Sequence, residues 1–289
     1  MSDFIFTQET IQKKNLYAKI KEILINSGWQ NISSRPSTDF DVFYSPGEDG
    51  KKELYFQMKE FDTANQNLST TNYRNLMFRL IKSYTPSSNT GQAGVFERNP
   101  SWANVYISTN NNVSPEAELW IRYHCNLNRL IMIIQFPPSI SYLSEDTFFM
   151  IGCSDRVLGR VYPNKECMIA SSYNTFNSYN YSVQITSQPD GTDNAPYLLA
   201  TFHNASTAGQ KTLTNDNKIL FSEIAYGSAN EGIRGFIDGI YSLRDSSSVP
   251  TLMRNDEFVD EEGKRYRIFD APFTRYSSTN SPFYAYRVE

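Results

Sequence analysis

The sequence predicts an α+β fold: an N-terminal helix packed on a mostly antiparallel β-sheet, with a polar, β-rich insertion. Three observations predict it. Apolar residues recur at helical spacing near the start (Leu16, Ile20, Ile23, Leu24). The best alternating and continuous apolar runs lie between Leu119 and Phe136. The stretch from Arg160 to Ile224 is rich in Asn, Ser and Tyr and shows little periodicity. Three regions follow: 1–159 as the helix and sheet core, 160–225 as the insertion or subdomain, and 226–289 as strands that complete the core sheet.

The helix is expected over 7–27. Thr7 suits an N-cap, Glu9 suits the positive end of the dipole, and Gly28 stands where a left-handed cap is wanted. Next, Phe40 to Tyr44 and Leu54 to Met58 read as a hairpin around Ser45-Pro-Gly-Glu-Asp-Gly50. Tyr73 to Tyr84 carries both periods, and its Tyr73, Leu76, Met77, Leu80, Ile81 spacing leans to helix. Ala103 to Ser108 reads as a strand. The hairpin from Leu119 to Phe136 turns at Cys125-Asn-Leu-Asn128, with Phe148 to Cys153 as a third strand beside it. The four-residue stripe of the helix should cover this sheet, and Ile131, Ile133 and Phe149 should be deeply buried. In the insertion, Tyr181 to Thr186 and Tyr197 to Phe202 are strand-like. The C-terminal region returns to strands at Phe236 to Tyr241, Glu257 to Asp260, Tyr266 to Phe269 and Phe283 to Val288.

Composition narrows the function classes. The chain has 289 residues with 27 Lys and Arg against 31 Asp and Glu, a net charge of −4 that argues against coating nucleic acid electrostatically. Folding a chain of this size buries about three-quarters of its extended surface, enough for a core without disulfides or metal. Three widely spaced Cys make neither a disulfide framework nor a zinc pattern. No apolar run nears the roughly 20 residues of a membrane span, and the start does not read as a signal peptide.

Catalytic candidates are few. His124 adjoins Cys125, but neighbours on a strand point to opposite faces, which separates a thiol from its base. A Cys153–His203 pair has nothing to support it. Phosphate-loop, dinucleotide, nucleophile-elbow and zincin motifs are all missing, and Gly232-Ile-Arg-Gly235 lacks the helical frame of an RNA clamp. The expectation is a non-enzyme with no cofactor and no metal. Two groups remain as candidate sites. Asp256, Glu257, Asp260, Glu261 and Glu262 form a carboxylate run at a hairpin tip, read first as a solvated turn. Tyr173, Phe176, Tyr179 and Tyr181 offer aromatic contact surface in the insertion. Arg265 and Arg267 alternate with Tyr266 and Ile268, an ordinary in/out pattern and not a nucleic-acid platform.

The order of several fragments resembles virion structural proteins of tailed bacteriophages, in particular the neck or tail-completion (tail-terminator-like) class. The fragments are the loop Tyr84-Thr-Pro86 to Gly94-Val-Phe96 with Pro100-Ser-Trp102, the hairpin returning through Asn128-Arg-Leu-Ile131, and Phe148-Phe-Met-Ile-Gly152. Gly235 to Tyr241, Tyr266-Arg-Ile-Phe269 and Tyr284-Ala-Tyr-Arg287 complete the set. The resemblance spans about 70% of the chain and leaves out 160–224. It implies a subunit made in the host cytoplasm that joins the virion as a homo-oligomeric ring, a hexamer, at the head–tail junction or tail end. Its partners would be copies of itself, other neck or tail proteins and DNA passing without sequence-specific contact, with no membrane. Around such a channel the carboxylate run would line the lumen and repel phosphate. The other expectation is a receptor- or carbohydrate-binding tail or baseplate component using the insertion aromatics.

Overall fold

A computed structural model describes residues 4–34, 40–60, 75–87, 95–96, 102–107, 114–137, 146–154, 167–171, 183–185, 196–201, 220–228, 232–244, 254–270 and 283–288. Within them the chain begins with β1 (Thr7–Gln12), a 3-10 turn (Lys13–Asn15) and α1 (Leu16–Asn26). Strands β2 (Gln30–Asn31), β3 (Asp41–Ser45), β4 (Leu54–Glu60) and β5 (Asn75–Ile81) follow. Then come β6 (Tyr84–Thr85), β7 (Val95–Phe96), β8 (Ala103–Tyr106), β9 (Glu118–Cys125) and β10 (Arg129–Gln135). The chain continues through β11 (Thr147–Gly152), β12 (Met168–Ser171), β13 (Val183–Ile185) and β14 (Pro196–Thr201). It ends with β15 (Leu220–Ser228), β16 (Gly232–Arg244), β17 (Glu257–Val259), β18 (Arg265–Asp270) and β19 (Phe283–Arg287).

Three antiparallel sheets result. One has twelve strands in the order β1-β9-β10-β11-β12-β13-β14-β15-β16-β19-β18-β17; one has five, β2-β3-β4-β5-β8; and β6 pairs with β7. The expected α+β architecture, a helix packed on a sheet, is therefore overturned: the described residues are mostly β, with one short α-helix among them and no helical layer. The twelve-stranded sheet runs through all three of the regions drawn from the sequence.

Two local expectations fail for the same reason. Residues 7–12 are not helical; they form an edge strand in full register with β9, from Thr7 opposite Tyr123 to Gln12 opposite Glu118. The apolar stripe begins only at Leu16, and Asn15 caps the helix without a side-chain hydrogen bond. Glu9 serves the ladder face instead, accepting from the Tyr123 hydroxyl (2.5 Å) and pairing with Lys19 (2.7 Å). The stretch leaning to helix at 73–84 is β5, because β4 and β8 flank it on both sides and satisfy its backbone groups. Alternation then decides its faces, with Leu76, Phe78 and Leu80 all inward. The expected turn at Gly28 is present: its φ is +93°, its N–H reaches Ile25 O (3.0 Å), and a Cβ would lie 2.8 Å from Leu127.

The large sheet folds over, so that β9–β12 form a central layer with a partner on each side. One face meets α1 and the five-stranded sheet. Leu16, Ile20, Ile23 and Leu24 pack there with Phe43, Phe56, Phe78, Leu119, Ile121, Met132 and Phe149. The rings chain together, Phe43–Phe56 at 5.4 Å, Phe56–Phe78 at 6.2 Å and Phe78–Phe149 at 5.3 Å between centroids. The other face carries Ile131, Ile133, Phe148 and Met150 against Ile237, Ile240, Phe269, Tyr284 and Tyr286 of the folded-back strands. Ile131, Ile133 and Phe149 are all fully buried, as expected, but in two cores and not one.

Candidate functional site: an acidic hairpin and the arginines behind it

The carboxylate run occupies the β17–β18 hairpin at one edge of the large sheet. Its turn is built by Asp260. The backbone N–H of Asp260 donates to Lys264 O (3.0 Å), and that of Gly263 donates to Asp260 O (3.1 Å). Asp260 Oδ1 accepts from the N–H groups of Glu262 (2.9 Å) and Lys264 (2.8 Å), and Oδ2 from the Tyr266 hydroxyl (3.2 Å). Desolvation is the largest single influence on the Asp260 pKa and raises it, but these donors together, with the Lys264 charge, outweigh it and leave the carboxyl below its ordinary value. Gly263, at φ +82°, gives the turn its left-handed residue. Glu262 pairs with Lys264, and Glu257 holds Arg267 through Nε (2.8 Å) and Nη2. Glu261 and Glu262 remain exposed, as does Asp256. The five residues therefore divide: Asp260 and Glu257 build the hairpin, and the rest charge its surface.

Behind Glu257 lies a row of arginines. Arg267 Nη1 donates to Gln8 Oε1 on β1 (2.7 Å), and Arg122 Nε on β9 donates to the same oxygen (3.2 Å). Arg122 is only 2% exposed, with its guanidinium 5.8 Å from the Trp120 ring and 5.9 Å from Tyr286. Burial lowers its pKa, and the neighbouring charges of Arg267 and Arg254 push the same way, opposed by Tyr286 and Asp146. Burial also lifts the Tyr286 hydroxyl to about 12, against the pull of the two arginines. Arg254 pairs with the buried Asp146, which also accepts from Gln135 Nε2 (2.5 Å). Deeper in the same interface Arg129, fully buried on β10, pairs with Asp238 on β16 beneath the Phe4 ring (5.3 Å).

The remaining candidates do not converge. Tyr173, Phe176, Tyr179 and Tyr181 lie outside the described residues, as does His203. His124 and Cys125 take opposite faces: the imidazole sits between Phe4 (5.1 Å) and Phe6 (6.3 Å), while Cys125 packs at the edge of the aromatic core. Burial pushes the Cys125 thiol up to about 12 and the Cys167 thiol higher still. Among the described residues no three His, Cys, Asp or Glu are placed to hold a metal ion. Among them, too, no helix is long and apolar enough to cross a membrane. The Gly232-Ile-Arg-Gly235 tetrad opens strand β16. Arg265, Tyr266, Arg267 and Ile268 alternate as expected, but Arg267, a quarter exposed, reaches across to Gln8 on β1.

Sequence reasoning missed Arg122, Gln8, Arg129 and Asp238. A signal existed: the nearly continuous apolar run at Leu130 to Phe136, broken only by Gln135, implies a strand covered on both faces. Its hairpin partner must then bury its polar alternates too, and Arg122 is one of them. It also missed an aromatic–basic cluster on the outer side of the five-stranded sheet. There Arg79 (4.4 Å) and Lys59 (4.7 Å) lie over the Trp102 ring, and Arg79 Nε donates to Gln57 (2.5 Å). No protein-family profile matches the chain, and no curated protein matches it significantly.

Proposed function

We propose that this chain is a structural subunit of a tailed-phage virion, forming a ring at the head–tail junction or tail end that joins components and lets DNA pass. The order of fragments from Tyr84 to Arg287 that resembles neck and tail-completion proteins motivates the reading. The observation that carries it is the pair of sheet edges. Strands β1 and β17 end the twelve-stranded sheet. Among the described residues each pairs on one side only, so each offers backbone donors and acceptors to a neighbouring copy. Val259 on β17 (60% exposed) and Ile5 beside β1 (51%) add apolar contact next to those edges. Head-to-tail use of such surfaces closes into rings. The test is composition of purified particles. The reading expects the chain in virions by mass spectrometry, with labelled copies at the neck or tail end in electron micrographs. Particles that lack it contradict the reading.

A further inference from the structure

The Arg122–Gln8–Arg267 junction is built like an oxyanion site filled by a neutral oxygen. Two guanidinium groups, one from each layer, donate to the single amide oxygen of Gln8. An amide oxygen carries only a partial charge, whereas guanidinium donors are strongest toward a full anion. Arg122 has no carboxylate within ion-pair distance among the described residues, and its buried Nη1 has no hydrogen-bond partner. A buried donor without a partner is costly, so its presence calls for an acceptor. Local charge points the same way. Asp146 is engaged by Arg254, and Glu257 by Arg267 and, at 4.0 Å, by Arg265, which leaves a positive surplus on Arg122.

We propose that this junction binds a phosphate group, which enters by displacing the Gln8 side chain. Gln8 is exposed on an edge strand, so its rotation opens the junction without moving the backbone. The two arginines approach from opposite layers. A tetrahedral phosphate presents oxygens in divergent directions to both, and a planar carboxylate presents its two in one plane. The Trp120 and Tyr286 rings wall the guanidinium of Arg122 and hold it in place. The site goes beyond the ring reading and does not depend on it.

Thermal unfolding of the full chain in inorganic phosphate, in acetate and in chloride at matched ionic strength tests the proposal. Phosphate at ten times its dissociation constant should raise the midpoint by about 2 °C over chloride, with acetate close to chloride. Gln8→Glu places a carboxylate between the two arginines. It should raise the midpoint in chloride and abolish the phosphate response. Gln8→Ala should keep or enlarge that response. An equal phosphate rise in the wild type and Gln8→Glu overturns the proposal, as does no rise in the wild type. An acetate rise matching that of phosphate overturns the phosphate assignment.

Discussion

The two faces of the central β9–β12 layer are held by different physics. Toward α1 and the five-stranded sheet the contact is a chain of phenylalanines with aliphatic side chains between them. Toward β15–β19 the layer mixes Ile131, Ile133, Phe148 and Met150 with Arg122, Arg129, Gln135 and Asp146. Burial of apolar area stabilises the first, at about 1.5–3 kcal/mol for each large side chain. In the second, the Arg129–Asp238 and Arg254–Asp146 pairs hold only while each partner is present, since a buried charge stripped of its partner is expensive. The first interface tolerates any apolar residue of the right volume. The second fixes which side chain must sit opposite which, and so fixes how the large sheet folds over.

Breaking each face should expose that difference. Phe56→Ala or Phe78→Ala opens a cavity in the ring chain and should cost about 3–5 kcal/mol in denaturant unfolding, at any pH where the chain is folded. Asp238→Leu leaves Arg129 buried without its carboxylate and should cost about 3 kcal/mol or more. Adding Arg129→Leu to Asp238→Leu should recover most of that loss, because neither member of this buried pair is then left as an unpartnered charge. Such recovery from a second substitution has no counterpart among the phenylalanines; a Phe56→Ala, Phe78→Ala pair should only be worse than either.

Lys13 sharpens the comparison on the first face. It is buried in the 3-10 turn, and burial pushes its pKa down to about 8 from an ordinary 10.5, partly opposed by Glu60. The folded chain therefore holds the Lys13 proton less tightly than the unfolded chain does. Below about pH 8 the fold bears the full cost of the buried ammonium. Between about 8 and 10.5 that cost is relieved, so the contribution of this site to stability rises with pH. Lys13→Met should raise the thermal midpoint at pH 7 and flatten the alkaline rise.

How far these features were legible depends on what paired with what. The hairpin at Leu119 to Phe136, the Asp260 to Lys264 turn and the burial of Leu16, Ile20, Ile23 and Leu24 follow from local chemistry, and periodicity revealed them. Thr7 to Gln12 and Asn75 to Ile81 misled because their strand character comes from partners far along the chain: Glu118 to Tyr123 for the first, and the β4 and β8 residues for the second. The loss of the α+β class follows from those two segments. The carboxylate hairpin was visible, yet the division of labour within it was not, since Asp260 and Glu261 look alike in sequence. Arg122 and Gln8, 114 residues apart, meet only once β1 has laid itself along β9.

The smallest structural effect belongs to the hairpin tip. Replacing Asp260, Glu261 and Glu262 together with Lys would also unfasten the turn, because Asp260 caps it. Glu261→Lys with Glu262→Lys reverses the charge and spares the cap, so stability should change by less than about 1 kcal/mol. If the tips line a channel, this variant should slow genome ejection while particles still assemble. Screening over about 8 Å at physiological salt means that the effect requires the tip to come that close to the DNA. Unchanged ejection kinetics would place the tip on the outer surface.

The ring itself is the central claim, and the mass of the purified chain in solution tests it most directly. Size-exclusion chromatography with light scattering should find a closed assembly of six 33.2 kDa chains, concentration-independent above its assembly threshold. Val259→Lys on the β17 edge should break it into smaller species. A chain that stays monomeric at every concentration, and is equally monomeric with Val259→Lys, would contradict the account.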